Sequence, residues 1–326
     1  MANIKDVARQ AGCGIATVSR VINKSGYVKE ETRVKIEKVI NELKYQPNEI
    51  ARSMTRQKNH IIAFILPNSK HLFFGELLYH VEEELFDYGY KLMLCNSSEQ
   101  LEKEIIYLDM LKNNRVDGVI LLTNNDVEKY LNKTLPIVSF DRWFQDVPLV
   151  ASDNYQGGIL AAKELLDKGC KKLMFIGDDA QGDFTDVITD VSKRRLGFID
   201  HLKSQGINDV INLEYPLQNY FVSENQFEHL LTPYPDVDGI FCISDSVAYT
   251  IIKVLKSKGK RVPEDVKVIG YDGGRSFNNL GKNITSISQE PEIIAKAIRK
   301  LLLNFDVNNS NKKIIVPVVL KKGDTT

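Results

Sequence analysis

Polar residues that can hold a ligand stand directly after apolar runs in this 326-residue chain: Asp141-Arg142 after Ile137–Phe140, Ser244-Asp245 after Gly239–Ile243, and Asp272 after Val266–Tyr271. Carboxylates and guanidinium groups give directional hydrogen bonds to hydroxyls, and aromatic faces such as Phe73 and Phe74 cover apolar C–H surface. The set suits recognition of a small polyhydroxy ligand. Asp245 reads as structural, a cap for the helix after it. Catalysis is not indicated, because no GxGxxG follows the first apolar run and neither a Walker lysine loop nor a GxSxG elbow occurs. The histidines (His60, His71, His80, His201, His229) lack metal-ligand spacing. Cys13, Cys95, Cys170 and Cys242 lie far apart without a CxxC, so reduced thiols are expected, with no metal and no cofactor.

These residues need a scaffold that aligns strand ends, and the apolar pattern supplies one. Ile61–Pro67 is a continuous apolar run closed by proline, as expected of a strand buried on both faces. A helical segment from Phe74 to Tyr88 follows, then a strand at Lys91–Cys95, a helix at Glu99–Asn113, and strands at Val119–Leu122 and Ile137–Phe140. A second series places helices near Tyr155–Lys168 and Arg194–Gln205 among strands at Lys172–Ile176, Gly239–Ile243 and Val266–Gly270. Such alternation predicts an α/β fold of doubly wound parallel sheets, which bind ligands beyond the carboxyl ends of their strands.

The first 58 residues differ from the rest. They carry twelve Lys and Arg against six Asp and Glu, leaving 31 basic against 37 acidic residues beyond them. A basic head on an acidic body is the charge pattern of a modular nucleic-acid binder. Ile4, Val7, Ala8 and Ala11 repeat at helical spacing up to Gly12, a second helix is expected at Ile15–Asn23 with Val18, Val21 and Ile22 inward, and a third at Lys29–Lys44 with Val34, Ile36, Val39, Ile40 and Leu43 on one side. That is a helix-turn-helix, whose second helix enters the major groove. Its outward residues Ile15, Ala16 and Arg20 are the candidate base contacts, Arg20 toward guanine O6 and N7 and the other two toward thymine methyls. Thr17, Ser19 and Asn23 are suited to phosphate oxygens.

IKDVARQAG, ATVSRVIN and TRVKIEKVINELKYQPNEIARSM together resemble the headpiece and hinge of the lactose-repressor (LacI/GalR) family across residues 3–54. Cys13-Gly14 departs from the family's usual Val-Ser and removes a hydroxyl cap, and Met54 stands where leucine is usual. The resemblance implies a DNA-binding domain at 1–47, a hinge helix and linker at 48–59, and a periplasmic-binding-protein-like effector domain at 60–326. Lobe one is expected to span about 60–154 and 286–317, and lobe two about 155–285 and 318–326. It further implies that Ala51, Arg52, Ser53 and Met54 pair over the minor groove with Met54 as a wedge. For the effector it implies Asp272 and Arg194 first, then Asp141, Phe73 and Phe74, and then Asp190 and Ser244. Trp143 is either a sugar-stacking residue or an exposed loop aromatic. The stretch 214–221 departs from the family spacing and contributes no aromatic contact.

The function implied is a transcriptional repressor of a carbohydrate operon, homodimeric on a pseudo-palindromic operator and answering a small sugar. One recognition helix per chain against two half-sites requires the dimer, and no apolar heptads follow the last expected strand to suggest a tetramer. A purine corepressor and a phosphocarrier protein are the alternatives within the family, and induction and corepression both remain open. A sugar-binding protein without DNA binding is the alternative outside it, opposed by the head and by the absence of an export signal. No apolar run approaches the roughly 20 residues that span a bilayer, and the N-terminus lacks the apolar core of a signal peptide, so the cytoplasm is expected.

Overall fold

The computed structural model describes residues 2–45, 58–177, 190–214, 224–273 and 283–326. The hinge residues Ala51, Arg52, Ser53 and Met54 lie outside the described residues. The chain divides into two compact units, Met1–Asn59 and His60–Thr326.

In the first unit, α1 (Ile4–Ala11) begins at a capping box. Asn3 Oδ1 accepts from the amides of Lys5 and Asp6 at 2.9 and 3.2 Å, and Asp6 Oδ2 accepts from the Asn3 amide at 3.0 Å. Gly12, at φ 61°, ends the helix in the left-handed conformation that glycine adopts without a Cβ penalty. Helix α2 (Ile15–Ile22) starts at Gly14 with no side-chain cap, the consequence of the Cys13-Gly14 departure. Helix α3 (Glu30–Glu42) braces both. Val7, Ala11, Val18 and Ile36 are fully buried at the centre, with Val21, Val28 and Val39 around them. Val34 was expected on the inner side, yet it is 56% exposed. At 3.6 residues per turn it lies about 200° around the helix from Ile36, on the solvent side.

The second unit holds two six-stranded sheets. The first runs β11-β5-β4-β3-β1-β2, from β1 (Ile61–Leu66), β2 (Lys91–Asn96), β3 (Gly118–Leu121), β4 (Ile137–Phe140), β5 (Leu149–Ser152) and β11 (Lys313–Val316). It is parallel throughout. Residues of β1 alternate between two cores. Ile62, Phe64 and Leu66 pack with α4 (Leu72–Phe86) and α10 (Pro291–Leu303), whereas Ala63 and Ile65 pack with α5 (Leu101–Lys112). This two-residue period with both faces covered explains the unbroken apolar run.

The second sheet runs β12-β10-β9-β8-β6-β7, from β6 (Leu173–Gly177), β7 (Ile211–Glu214), β8 (Gly239–Cys242), β9 (Lys267–Asp272), β10 (Thr285–Ser288) and β12 (Val319–Lys321). Only β12 is antiparallel to its neighbour. Helices α6 (Asn154–Asp167), α7 (Lys193–Ser204), α8 (Glu224–Leu231) and α9 (Asp245–Ser257) belong to this lobe. The short strands β5, β7, β10, β11 and β12 carry no pattern that marked them in the sequence. The return to lobe one, expected at Ser286, comes later. Ser286, Ile287 and Ser288 pair with Gly270, Tyr271 and Asp272 in the second sheet, and the chain crosses only at Gln289-Glu290. The other crossings are at Asp153, between β5 and α6, and at Pro317-Val318, between β11 and β12.

Helices α6 and α7 cross at near-backbone contact. A Cβ on Gly158 would collide with the Arg194 carbonyl oxygen, and one on Gly197 with the Tyr155 carbonyl oxygen. Since the obstruction is backbone, neither side can yield cheaply. Gly158→Ala should lower stability by about 1–3 kcal/mol or more, read by urea unfolding; an unchanged midpoint would contradict the close approach.

Candidate functional site

On the first unit the two faces of α2 are sharply divided. Val18 and Val21 are buried beneath it, while Ile15, Ala16 and Arg20 are exposed. The stem of Arg20 lies beside the turn at Gly26, and the residue is exposed. Thr17, Ser19 and Asn23 are half-buried, and Asn23 Nδ2 donates to Ser19 Oγ at 3.1 Å. The helix thus presents one long cation and two apolar groups, flanked by short polar groups.

On the second unit, the carboxyl ends of both sheets converge. Asp141 follows β4 with φ 54°; its Oδ1 accepts from the Ser152 amide at 3.2 Å, and its carbonyl oxygen accepts from the Asp190 amide at 3.0 Å. Asp272 ends β9 with φ 108°. Both expected ligand carboxylates therefore sit at positive φ, a conformation that costs energy outside glycine and persists only where surroundings enforce it. Arg194, in the first turn of α7, lies between them. Its Nε donates to Asn154 Oδ1 and one terminal nitrogen to the Ile243 carbonyl, each at 2.7 Å. Its guanidinium covers the Tyr271 ring at 3.6 Å, and Asp272 Oδ1 is 3.9 Å away, attractive but too long for a hydrogen bond.

Burial pushes the Asp141 carboxyl up to about 7, against the pull of Arg194. It also raises Asp272, opposed by Arg194 and by Gln289, whose Nε2 donates to Asp272 Oδ1 at 2.6 Å. His71, the residue before α4 in lobe one, places Nε2 at 3.8 Å from Asp272 Oδ2. Burial and Arg194 lower this imidazole to about 4, so at neutral pH it meets Asp272 uncharged. Phe74 packs beside it with ring centroids 4.6 Å apart. Carboxyl groups poised near neutrality can accept or donate hydrogen bonds, which matches hydroxyls of either polarity. An anionic ligand gains less, because two carboxyl groups face the one guanidinium.

The remaining expected residues divide. Asp190 is brought beside Asp141, and its carboxylate pairs with Lys193. Ser244 caps α9, its Oγ accepting from the Val247 amide at 3.3 Å. The cap is therefore Ser244 and not Asp245, whose buried carboxylate lies against Gly270. Phe73 turns into the lobe-one core against Phe140. Arg142 points to the carbonyls of Thr123 and Asn125 and lies over Phe144, bracing a loop. Trp143 is half exposed with Lys313 above its ring.

Four residues in the network escaped the sequence reading: His71, Ser152, Asn154 and Gln289. His71 and Ser152 follow or end strands, so the strand-end rule reaches them once β5 is recognised. Gln289 directly follows β10 and Asn154 stands two residues after β5, so the same rule reaches them only when those short strands are known. A recess of about 410 Å³ adjoins the network, lined by Ser152, Asn154, Asp190 and Lys193 with Tyr155, Leu196 and Ile315. That volume lies in the range of small-molecule sites.

A family model described as periplasmic binding proteins and sugar binding domain of the LacI family matches residues 59–320, and one described as bacterial regulatory proteins, lacI family, matches residues 3–48. The chain belongs to the LacI family. The sucrose operon repressor of Streptococcus mutans is 35% identical and the ribose operon repressor of Halalkalibacterium halodurans 34%, each alignment covering 100% of this chain and 99% of the relative. A lac repressor dimer solved with operator and the anti-inducer ONPF shares the fold, with a TM-score of 0.86 at 20% identity over 100% of this chain and 99% of that one. This LacI-family chain is a sequence-specific DNA-binding regulator, and its body is of the family's sugar-binding type.

Two outcomes are expected. Arg20→Ala should weaken binding to the preferred operator by about 1–3 kcal/mol and relax specificity at one base pair; an equal loss on random DNA would make Arg20 a phosphate contact. Asp141, raised in the folded state, favours folding most below its ordinary range, and that contribution is lost as pH rises through about 7. Asp141→Asn should therefore gain melting temperature relative to wild type as pH rises from about 4 to about 7, and the difference should level off above that, in ligand-free protein. A pH-independent difference would show that the carboxyl does not titrate there.

Proposed function

We propose that this LacI-family regulator represses a carbohydrate-utilisation operon from the cytoplasm as a homodimer on a pseudo-palindromic operator, and that a neutral sugar bound between its lobes controls it. The observation that carries the reading is the cluster of Asp141, Asp272, Arg194 and His71, drawn from the carboxyl ends of both sheets. A ligand contacting both lobes has different affinity for different lobe arrangements, which is the requirement for a switch. The operon names of the two relatives point to sugars. Among the described residues no helix is long and apolar enough to cross a membrane. Tyr79 and Phe86, seven residues apart on α4 and each more than half exposed, offer an apolar stripe for the second copy. Met54 and its neighbours would then pair in the hinge, with Met54 as the wedge.

A melting screen of the full chain against mono- and disaccharides, purines and sugar phosphates tests this. At least one neutral sugar should raise the melting temperature, and stabilisation by purines or phosphates alone would overturn the sugar reading. Asp272→Asn should weaken that sugar by about 1.5–3 kcal/mol, roughly tenfold to a hundredfold, with operator binding unchanged. Wild-type sugar affinity in that variant would place Asp272 outside the site.

A further inference from the structure

Two buried polar side chains outside the expected site join its halves. Gln289 lies on the crossing from β10 to α10, and Ser152 ends β5 just before the crossing to α6; both are almost fully buried. Ser152 Oγ donates to Gln289 Oε1 at 2.8 Å, and Gln289 Nε2 donates to Asp272 Oδ1 at 2.6 Å. The Ser152 amide meanwhile donates to Asp141 Oδ1. The Ser152 carbonyl accepts from Asn154 Nδ2 at 3.2 Å, and Asn154 Oδ1 in turn accepts from Arg194. A continuous path therefore runs from the lobe-one carboxylate to the lobe-two carboxylate through two crossing segments. The chemistry fixes its direction, since a carboxylate needs a donor and the amide has one donor end and one acceptor end.

We propose that Gln289 and Ser152 are positioning residues that tie the effector-holding carboxylates of the two lobes into one unit, so that lobe angle and site geometry change together. This deepens the proposed function and rests on its placement of the effector between the lobes. The physical reason is that a change in lobe angle turns one crossing segment against the other. The hydrogen bond between Ser152 and Gln289 spans those two segments, and both of its partners are withdrawn from water. Breaking it leaves buried polar groups unpaired, which penalises any arrangement in which the crossings separate. The path ends on the same carboxylates that would meet the ligand, so a ligand that moves Asp272 loads the bridge directly. The charged and titratable groups facing Asp272 are Arg194 from α7 and His71 before α4, with Tyr271 beside it and Asp141 across Arg194. All of these are common to wild type and the variants below.

The test uses the ligand-free full chain, so it does not depend on the identity of the effector. Ser152→Ala, Gln289→Leu and the double variant are melted beside wild type. Each single change should lower the melting temperature, and the double variant should lose no more than the worse single one, because either change removes the same bridge. Additive losses, or none, overturn the proposal. Gln289→Glu supplies a milder variant with a signature that packing alone does not give. At about pH 5 the new carboxyl and Asp272 hold at least one proton between them, so a hydrogen bond joins them as the amide did and the variant should match wild type within a degree or two; at about pH 8 that proton is drawn off, the two carboxyls repel and the deficit should be large. A deficit independent of pH overturns the bridge. Sucrose and D-ribose are titrated into the same proteins. If neither stabilises wild type, those two sugars are excluded as effectors and the sugar reading is left to the wider screen, while the ligand-free comparison still decides the bridge.

Discussion

Two carboxyl groups buried against one guanidinium set the conditions for the rest of the body. Removing a charge from water costs several kcal/mol unless it is paired and hydrogen-bonded. Asp141 and Asp272 share Arg194, which satisfies neither by a direct short hydrogen bond. The result is a site held together by secondary donors: the Ser152 amide for one carboxylate and the Gln289 amide for the other. Both carboxyls are consequently left near the point where they exchange a proton, and a ligand that brings hydroxyl groups satisfies them better than the protein alone does.

Arg194 can serve this purpose only because it is fixed in place. Its Nε donates to Asn154 and one terminal nitrogen to the Ile243 carbonyl, its face lies over Tyr271, and its backbone is held against Gly158 across the α6–α7 crossing. Close helix approach through glycines delivers a long side chain to one position without the freedom it would have on a surface. The aromatic ring beneath it limits tilt. Among the described residues lobe one contributes no cation to the cluster, so Asp141 meets Arg194 only when the lobes are together.

The DNA-reading unit works by the opposite economy. Its small core of valine, alanine and isoleucine holds three helices, and Ile15, Ala16 and Arg20 are left exposed on the outer face of α2. A basic excess in the first 58 residues supplies attraction to the phosphates irrespective of sequence. Arg20, Ile15 and Ala16, exposed together on one face of α2, are the residues placed to add discrimination if that face meets base edges.

Much of this was legible in the amino-acid order. Local rules determined the three head helices, since capping, a left-handed glycine and a 3.6-residue period act within a few residues of one another. They also determined the long apolar strands, and through them the carboxylates at Asp141 and Asp272, because a strand buried on both faces must end where polar residues begin. Val34 shows the limit: apolar type placed it with the inner residues, whereas its position about 200° from Ile36 turns it to solvent. The short strands β5 and β7, the lobe to which Ser286 belongs, and the roles of Ser152, Asn154 and Gln289 were decided only in three dimensions. Ser152 and Gln289 are 137 positions apart, and nothing local distinguishes a serine or glutamine that spans two crossings from one facing water. Their role comes from where the sheets bring them, which depends on the packing of every strand between.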